Sequence, residues 1–245
     1  MFTTNHFILL GFCLLIIIGY MHIQKKFNIS YRTNLIALFC VGIVCEMLKL
    51  MVNMEVHPND VFDTSGAYLT QESLPFHLCS IQNFFVLFLL FFIKRETTKQ
   101  VLLEFMFPSM CVGASIALFI PTAGVDFKNP QIYEYFIFHT YIIAFAINLV
   151  RSKTITITWK TLIRNIGILF GLCIMDLYIN SILQDHNTNF MFVTRPPMDN
   201  LPILNLNQGW HMYFMKLIIV SVTAITLFHI PFILIENKRK RLLNN

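Results

Sequence analysis

Charge is what this sequence has least of. Only 13% of its residues are Asp, Glu, Lys or Arg, while 56% are hydrophobic; an ordinary soluble domain is about a quarter charged. That scarcity excludes a water-soluble globular chain, and the mean hydropathy of +0.64 fits a fold that spends most of its length in lipid. Cysteine is missing from the connecting segments. Cys13, Cys40, Cys45, Cys79, Cys111 and Cys173 all fall inside apolar runs, so no structural disulfide framework is expected. No HxxxH or CxxC spacing occurs, which leaves little on which to build a metal site; neither a metal nor a cofactor is expected. No Lys or Arg precedes the first apolar run and no small-residue cleavage site follows it, so it reads as a retained helix and not a signal peptide. Internal repeats and low-complexity segments are absent as well.

What remains is a succession of seven apolar runs: Phe7 to Ile23, Asn34 to Val52, Pro75 to Ile93, Val101 to Ile120, Ile132 to Val150, Thr161 to Leu183 and Trp210 to Ile235. Each approaches or exceeds the roughly 20 residues a helix needs to cross a bilayer. The expected fold is all-α: a polytopic integral membrane protein of seven transmembrane helices, forming one domain over residues 1–245. The formal net charge of +5 does not call for nucleic acid, because the basic residues have a simpler explanation. Lys25, Lys26, Arg32, Lys94, Arg95, Lys99, Arg151, Lys153, Lys160, Arg164 and the run from Lys238 to Arg241 all follow helices one, three, five and seven. By the positive-inside rule the amino terminus lies outside and the carboxyl terminus inside.

Polar residues within the runs gather at one depth once the helices alternate in direction. Glu46 and Lys49 in helix two, Cys79 in helix three, His139 in helix five, Asp176 in helix six, and His211 and Lys216 in helix seven all fall in the outer half. Ionisable groups at membrane depth usually face a cavity or a partner, so this layer predicts a water-accessible cavity open to the outer leaflet. Glu46 and Lys49 are spaced to pair on one helical face, as are Asp176 and Asn180. The inner half offers little beyond Glu104, Asn148 and His229 near its edge. The connection Gln184 to Gln208 contains Asn189-Phe190-Met191-Phe192, Pro196-Pro197 and Leu201-Pro202-Ile203. It is too long and too apolar for a simple linker, and an outer cap or re-entrant segment is expected there. Pro75 reads as a helix opener and Pro108 as a kink.

The segment Leu74-Pro75-Phe76-His77-Leu78-Cys79 sets a thiol and an imidazole at the mouth of helix three. Two residues apart on a helix, His77 and Cys79 point to different sides, so a base for Cys79 must come from elsewhere and His77 reads as a capping or orienting residue. His139 has a suitable depth, and Tyr135, four residues earlier, is placed to fix its tautomer. Gln82 and Asn83 share the face of Cys79 and carry amides suited to a developing oxyanion. A Cys beside an imidazole can act as a thiolate nucleophile and form an acyl intermediate.

The Leu74 to Cys79 helix start, His139, the Asn189 to Phe192 segment with Arg195 and Pro197, and Trp210 opening helix seven together resemble the YwaF family of bacterial membrane proteins. That family is similar to the vertebrate transmembrane protein 164 acyltransferases. The resemblance implies an enzyme of the bacterial plasma membrane that moves a fatty acyl chain between glycerophospholipids. Cys79 would match the acyl-accepting cysteine and His139 its assisting histidine, a membrane phospholipid would be the donor, and a lysolipid or other hydroxyl compound the acceptor. Where the bacterial pattern has a proline-flanked aromatic pair, this chain has Gly209-Trp210-His211-Met212-Tyr213. Two other classes compete: a solute transporter or channel component, which calls for polar residues continuing through the inner half, and a receptor-like or scaffold protein, for which the short inner loops leave little surface.

Overall fold

A computed structural model describes residues 3–57, 66–184, 188–198 and 201–244. The described chain forms α1 (Thr4–Phe27), α2 (Tyr31–Asn53), a two-stranded antiparallel ribbon of β1 (Met54–His57) and β2 (Gly66–Leu69), α3 (Leu78–Phe91), α4 (Glu96–Phe119), α5 (Gln131–Arg151), α6 (Trp159–Ile182) and α7 (Trp210–Asn244). Six of these helices are long and apolar enough to cross a bilayer. The seventh, α3, has 14 residues and a length of about 21 Å. The fold is therefore an all-α membrane bundle with one small β ribbon, which the apolar pattern did not announce.

The helices alternate in direction. One end of the bundle gathers the start of α1, the ribbon and the starts of α3, α5 and α7; it is called the ribbon end below. Asn5 ties the start of α1 to the α4–α5 connection through Nδ2 to the Val125 carbonyl at 3.3 Å. At the opposite end Arg151 donates to the Met21 carbonyl at 3.0 Å. Side-chain caps open three helices: Thr3, Ser30 and Thr158 accept from the amides of His6, Thr33 and Thr161, which satisfies first-turn donors that have no helical acceptor.

The centre of the bundle is α5, buried along most of its length and packed by α1, α2 and α4. Ile132, Phe136, Ile142, Phe145 and Leu149 project into the main core. The apolar outer faces of α1, α2, α6 and α7 remain exposed, as a bilayer solvent allows. Since lipid supplies no hydrophobic drive between helices, close packing and interhelical polar contacts hold them together. Gly42 of α2 is one such contact point: a Cβ there would overlap Asn83 Oδ1 of α3. Gly42→Ala is expected to displace the Asn83 side chain, the movable end that a Cβ would meet, at a cost of about 1 kcal/mol. Adding Asn83→Ala should recover most of the loss, as measured by thermal unfolding in one detergent; equal melting of Gly42→Ala and the parent would refute the contact.

In α4 the proline at position 108 is followed by a π-helical turn, Ser109–Gly113. A widened turn absorbs the missing proline donor, and such turns often mark functional positions. Ser109 stitches the distortion by donating to the Phe105 and Met106 carbonyls at 2.9 and 3.1 Å.

The half of the bundle away from the ribbon is richer in buried polar contacts than its sequence suggested. Glu104 of α4 pairs with Arg164 of α6 and accepts from Gln100 at 2.9 Å. Asn165 donates to the Glu104 carbonyl at 2.8 Å and lies 3.3 Å from His229 Nε2 of α7. Glu104 and His229, read from the sequence as edge residues, thus interlock α4, α6 and α7. A packed layer of Phe105, Leu162, Leu169, Cys173 and Ile225 lies next to this network.

Candidate functional site

The proposed nucleophile occupies the first turn of α3. The helix begins at Leu78, not at Pro75: the Phe76 amide closes a tight turn onto the Leu74 carbonyl at 2.9 Å, and His77 is the extended N-cap residue. Pro75 therefore shapes the turn before the helix instead of opening it. His77 makes no side-chain capping bond. Its ring lies against Phe190 and Phe192, with centroid separations of 5.4 and 5.6 Å.

Cys79 is half-buried and faces the π-helical turn of α4, where a Cβ on Gly113 would stand 3.6 Å from Sγ. Gly113 thus packs closely beside the thiol, where a methyl group would meet Leu78 and Cys79 at ordinary contact distance. Gln82 faces the same turn, but its Nε2 donates to the Leu78 carbonyl at 3.0 Å and to Ser109 Oγ at 3.1 Å, so both amide hydrogens are committed. Asn83 sits over Gly42 on the α2 side. The Gln82 amide is therefore committed in this arrangement. The backbone offers further donors: first-turn amides such as those of Cys79 and Ser80 have no acceptor within a helix.

His139 is buried, and its Nδ1 lies 2.6 Å from the Tyr135 carbonyl. A carbonyl only accepts, so Nδ1 carries the hydrogen and Nε2 is left as the basic nitrogen. Tyr135 does orient His139, but through its backbone. Its hydroxyl donates instead to the Ala117 carbonyl at 3.1 Å, while its ring lies 4.2 Å from that of His139. Tyr135 is within electrostatic range of Cys79, and His77 is within range of His139. Among the described residues no hydrogen bond joins the Cys79 thiol to the His139 ring; resting active sites often hold such pairs apart until substrate binds.

Lys49 Nζ contacts Glu46 Oε1 at 2.6 Å, so the predicted pair forms. It has a third member. Glu134 of α5 is buried and interacts electrostatically with Lys49 and Glu46, and Lys49 also reaches His77. Nothing in the sequence set Glu134 apart, because an acid in the first turn of a helix is the usual complement to the helix dipole. Among the described residues no group of three His, Cys, Asp or Glu side chains converges as metal ligands would.

Above this region, residues 188–198 fold back onto the bundle; residues 185–187 and 199–200 of the predicted cap lie outside the described residues. Asn180 of α6 grips the segment twice: its Oδ1 accepts from the Phe190 amide at 2.9 Å and its Nδ2 donates to the Phe190 carbonyl at 3.2 Å. Asn189 closes the loop on itself, accepting from Thr194 Oγ1 at 2.8 Å and donating to the Arg195 carbonyl at 2.9 Å. From α7, Trp210 Nε1 donates to the Val193 carbonyl at 3.0 Å, and the Tyr213 hydroxyl donates to that of Phe192. Phe190 and Val193 are fully buried. Met191 and Phe192 adopt φ of 49° and 56°, a left-handed conformation costing about 1–3 kcal/mol each that persists because so many bonds determine the loop.

Asp176 lies one turn before Asn180 on α6, wholly buried, and neither carboxylate oxygen has a hydrogen-bond partner among the described residues. An unpaired buried carboxylate is destabilising, so Asp176→Asn is expected to melt higher, by about 1 kcal/mol or more of stability; a lower melting point in the same detergent would show that a partner had been lost. His211 does not join the group. It is exposed at the start of α7 beside Trp210. A cavity of about 370 Å³ opens between Thr3 to Asn5 and Val125 to Asp126, and an apolar one of about 280 Å³ lies between α6 and α7, and neither borders Cys79.

These features define a polytopic membrane protein whose helix-start cysteine, oriented histidine and docked aromatic loop share one end of the bundle. The model of the TMEM164 family matches residues 1–229, and the chain belongs to that family. No curated protein and no solved structure gives a significant match.

Proposed function

We propose that this protein is a Cys-dependent acyltransferase that moves a fatty acyl chain from a membrane phospholipid to a second lipid hydroxyl. The observation that carries the reading is the placement of Cys79 in the first turn of α3, packed against Gly113 of the π-helical turn. His139, whose Nδ1 is anchored on the Tyr135 carbonyl, supplies the base at Nε2. That nitrogen takes the thiol proton as Sγ attacks the ester carbonyl. The C–S bond forms, the ester C–O bond breaks, and the departing lysolipid oxygen takes the proton from His139. In the second half an acceptor hydroxyl gives its proton to Nε2 and attacks the thioester. The new C–O bond forms, the C–S bond breaks, and the thiolate recovers the proton.

The free amides of the α3 first turn are the natural donors for the carbonyl oxygen as it becomes negative. With Gln82 held by Ser109 and Leu78, that amide positions the helix against α4. The Glu46, Lys49 and Glu134 group, whose lysine acts on His77 through space, suits the contact with a lipid headgroup. By the charge bias of the connections, the ribbon end faces outward and the reaction takes place in the outer leaflet of the bacterial plasma membrane.

The direct test is intact-peptide mass spectrometry after brief exposure of the purified protein to a phospholipid of one known acyl composition. The expected product is that acyl group in hydroxylamine-sensitive linkage on Cys79. Turnover without any acyl group on Cys79 under rapid acid quench would set the reading aside.

A further inference from the structure

The segment from Leu201 to Met212 joins the docked loop to α7, and its composition is unusual for a connection exposed to water. No charged residue occurs between Asn200 and Met215. Ile203 is 59% exposed, and Leu206, Trp210 and Met212 are also exposed. The backbone around them is folded, not loose: Asn205 Nδ2 lies 3.2 Å from the Pro202 carbonyl, the Asn207 amide donates to Asn205 Oδ1 at 3.3 Å, and the Gly209 amide donates to the Leu206 carbonyl at 2.8 Å. At Gly209 φ is +83°, the left-handed conformation that lets the chain turn into α7. A folded backbone that turns apolar side chains outward, with Asn207, Gln208 and His211 exposed beside them, has the mixed character of a segment at the membrane surface.

The exposed apolar side chains also continue a surface already assigned to the bilayer. Met212 leads to Met215 and Ile219 on the exposed face of α7, with Lys216 partly buried beside them. Trp210, with an apolar ring and an N–H that reaches back to the Val193 carbonyl, has the amphipathic character of residues that settle at a membrane surface. We infer that residues 201–212 lie in the bilayer interface at the ribbon end, with Ile203 and Leu206 inserted among the lipids. The partner is the lipid surface itself. This segment and the loop covering His77 are one hydrogen-bonded unit, joined at Trp210 to Val193 and at Tyr213 to Phe192. The position of the lipid surface is thereby coupled to the cover of the thiol's neighbourhood. The inference does not depend on the acyltransferase reading.

Brominated lipids test it. The protein has two tryptophans, Trp159 and Trp210, so Ile203→Trp is placed in a Trp159→Phe background and reconstituted in phosphatidylcholine vesicles. The emission added at position 203 is expected to be quenched at least about threefold more by lipid brominated high in its chains than by aqueous iodide. Gln208→Trp, on an exposed polar position of the same segment, is the comparison and should show the reverse preference. Iodide quenching at 203 that matches position 208 would overturn the inference, since the segment would then face water. Emission at 203 that neither quencher reaches would also overturn it, because protein, for instance a second copy of the chain, would then cover the site.

Discussion

Cys79→Ala inserts and melts like the parent, and loses acyl transfer from phospholipid by about a thousandfold or more, the scale seen when a covalent nucleophile is removed. Stability should hold because the thiol is only half-buried and forms no hydrogen bond among the described residues. His139→Gln is expected to lower transfer by about 10²- to 10⁴-fold, as loss of a general base does, and to slow formation of the Cys79 thioester as well as its discharge. Measuring both steps separates the roles: a variant that forms the thioester at the parental rate but fails to discharge it would assign the base of the first step to another group. His77, two residues before Cys79 in the chain, is the alternative. It faces Phe190 and Phe192, and His77→Ala is correspondingly expected to disturb the loop more than the chemistry. If Cys79→Ala transfers acyl groups at the parental rate, the nucleophile assignment fails.

Much of the bundle is legible in the sequence because lipid imposes a simple rule: an apolar run long enough to cross becomes a helix. The seven runs correspond to α1 through α7, and Glu46 and Lys49 pair as their spacing allows. The start of α3 was harder to place. A proline is welcome in a first helical turn, and only the tertiary contact of His77 with the Phe190 to Phe192 loop explains why the helix waits until Leu78. The same limit applies to Gln82, whose partner Ser109 lies 27 residues away on a distorted turn that local pattern does not encode. Glu134, Glu104 and His229 looked like edge residues because helical spacing fixes the face a residue occupies but not the neighbour opposite. The spacing of Tyr135 and His139 marks them as partners, and the structure makes the bond through the Tyr135 carbonyl, a group every residue carries and no sequence motif reveals.

Asn180→Ala is expected to produce a large loss of stability at the loop. One side chain satisfies both the amide and the carbonyl of buried Phe190. Each group left unpaired costs about 1–3 kcal/mol, so removal of both bonds is expected to cost roughly 2–6 kcal/mol. Asn180→Asp keeps an acceptor for the amide but loses the donor to the carbonyl, and should fall between. The readouts are thermal unfolding and protease susceptibility within residues 188–198. An unchanged melting point together with parental protection would show that other contacts, such as Trp210 to Val193, hold the loop unaided. The functional consequence follows from what the loop covers. With Phe190 released, Phe76 and His77 lose their aromatic neighbour and water gains access to the first turn of α3. A thioester on Cys79 would then meet water as well as the acceptor hydroxyl, and exclusion of water is what suppresses that side reaction. Asn180→Ala is therefore expected to shift the products from transferred acyl lipid toward free fatty acid, an outcome that a purely structural role for the loop does not produce.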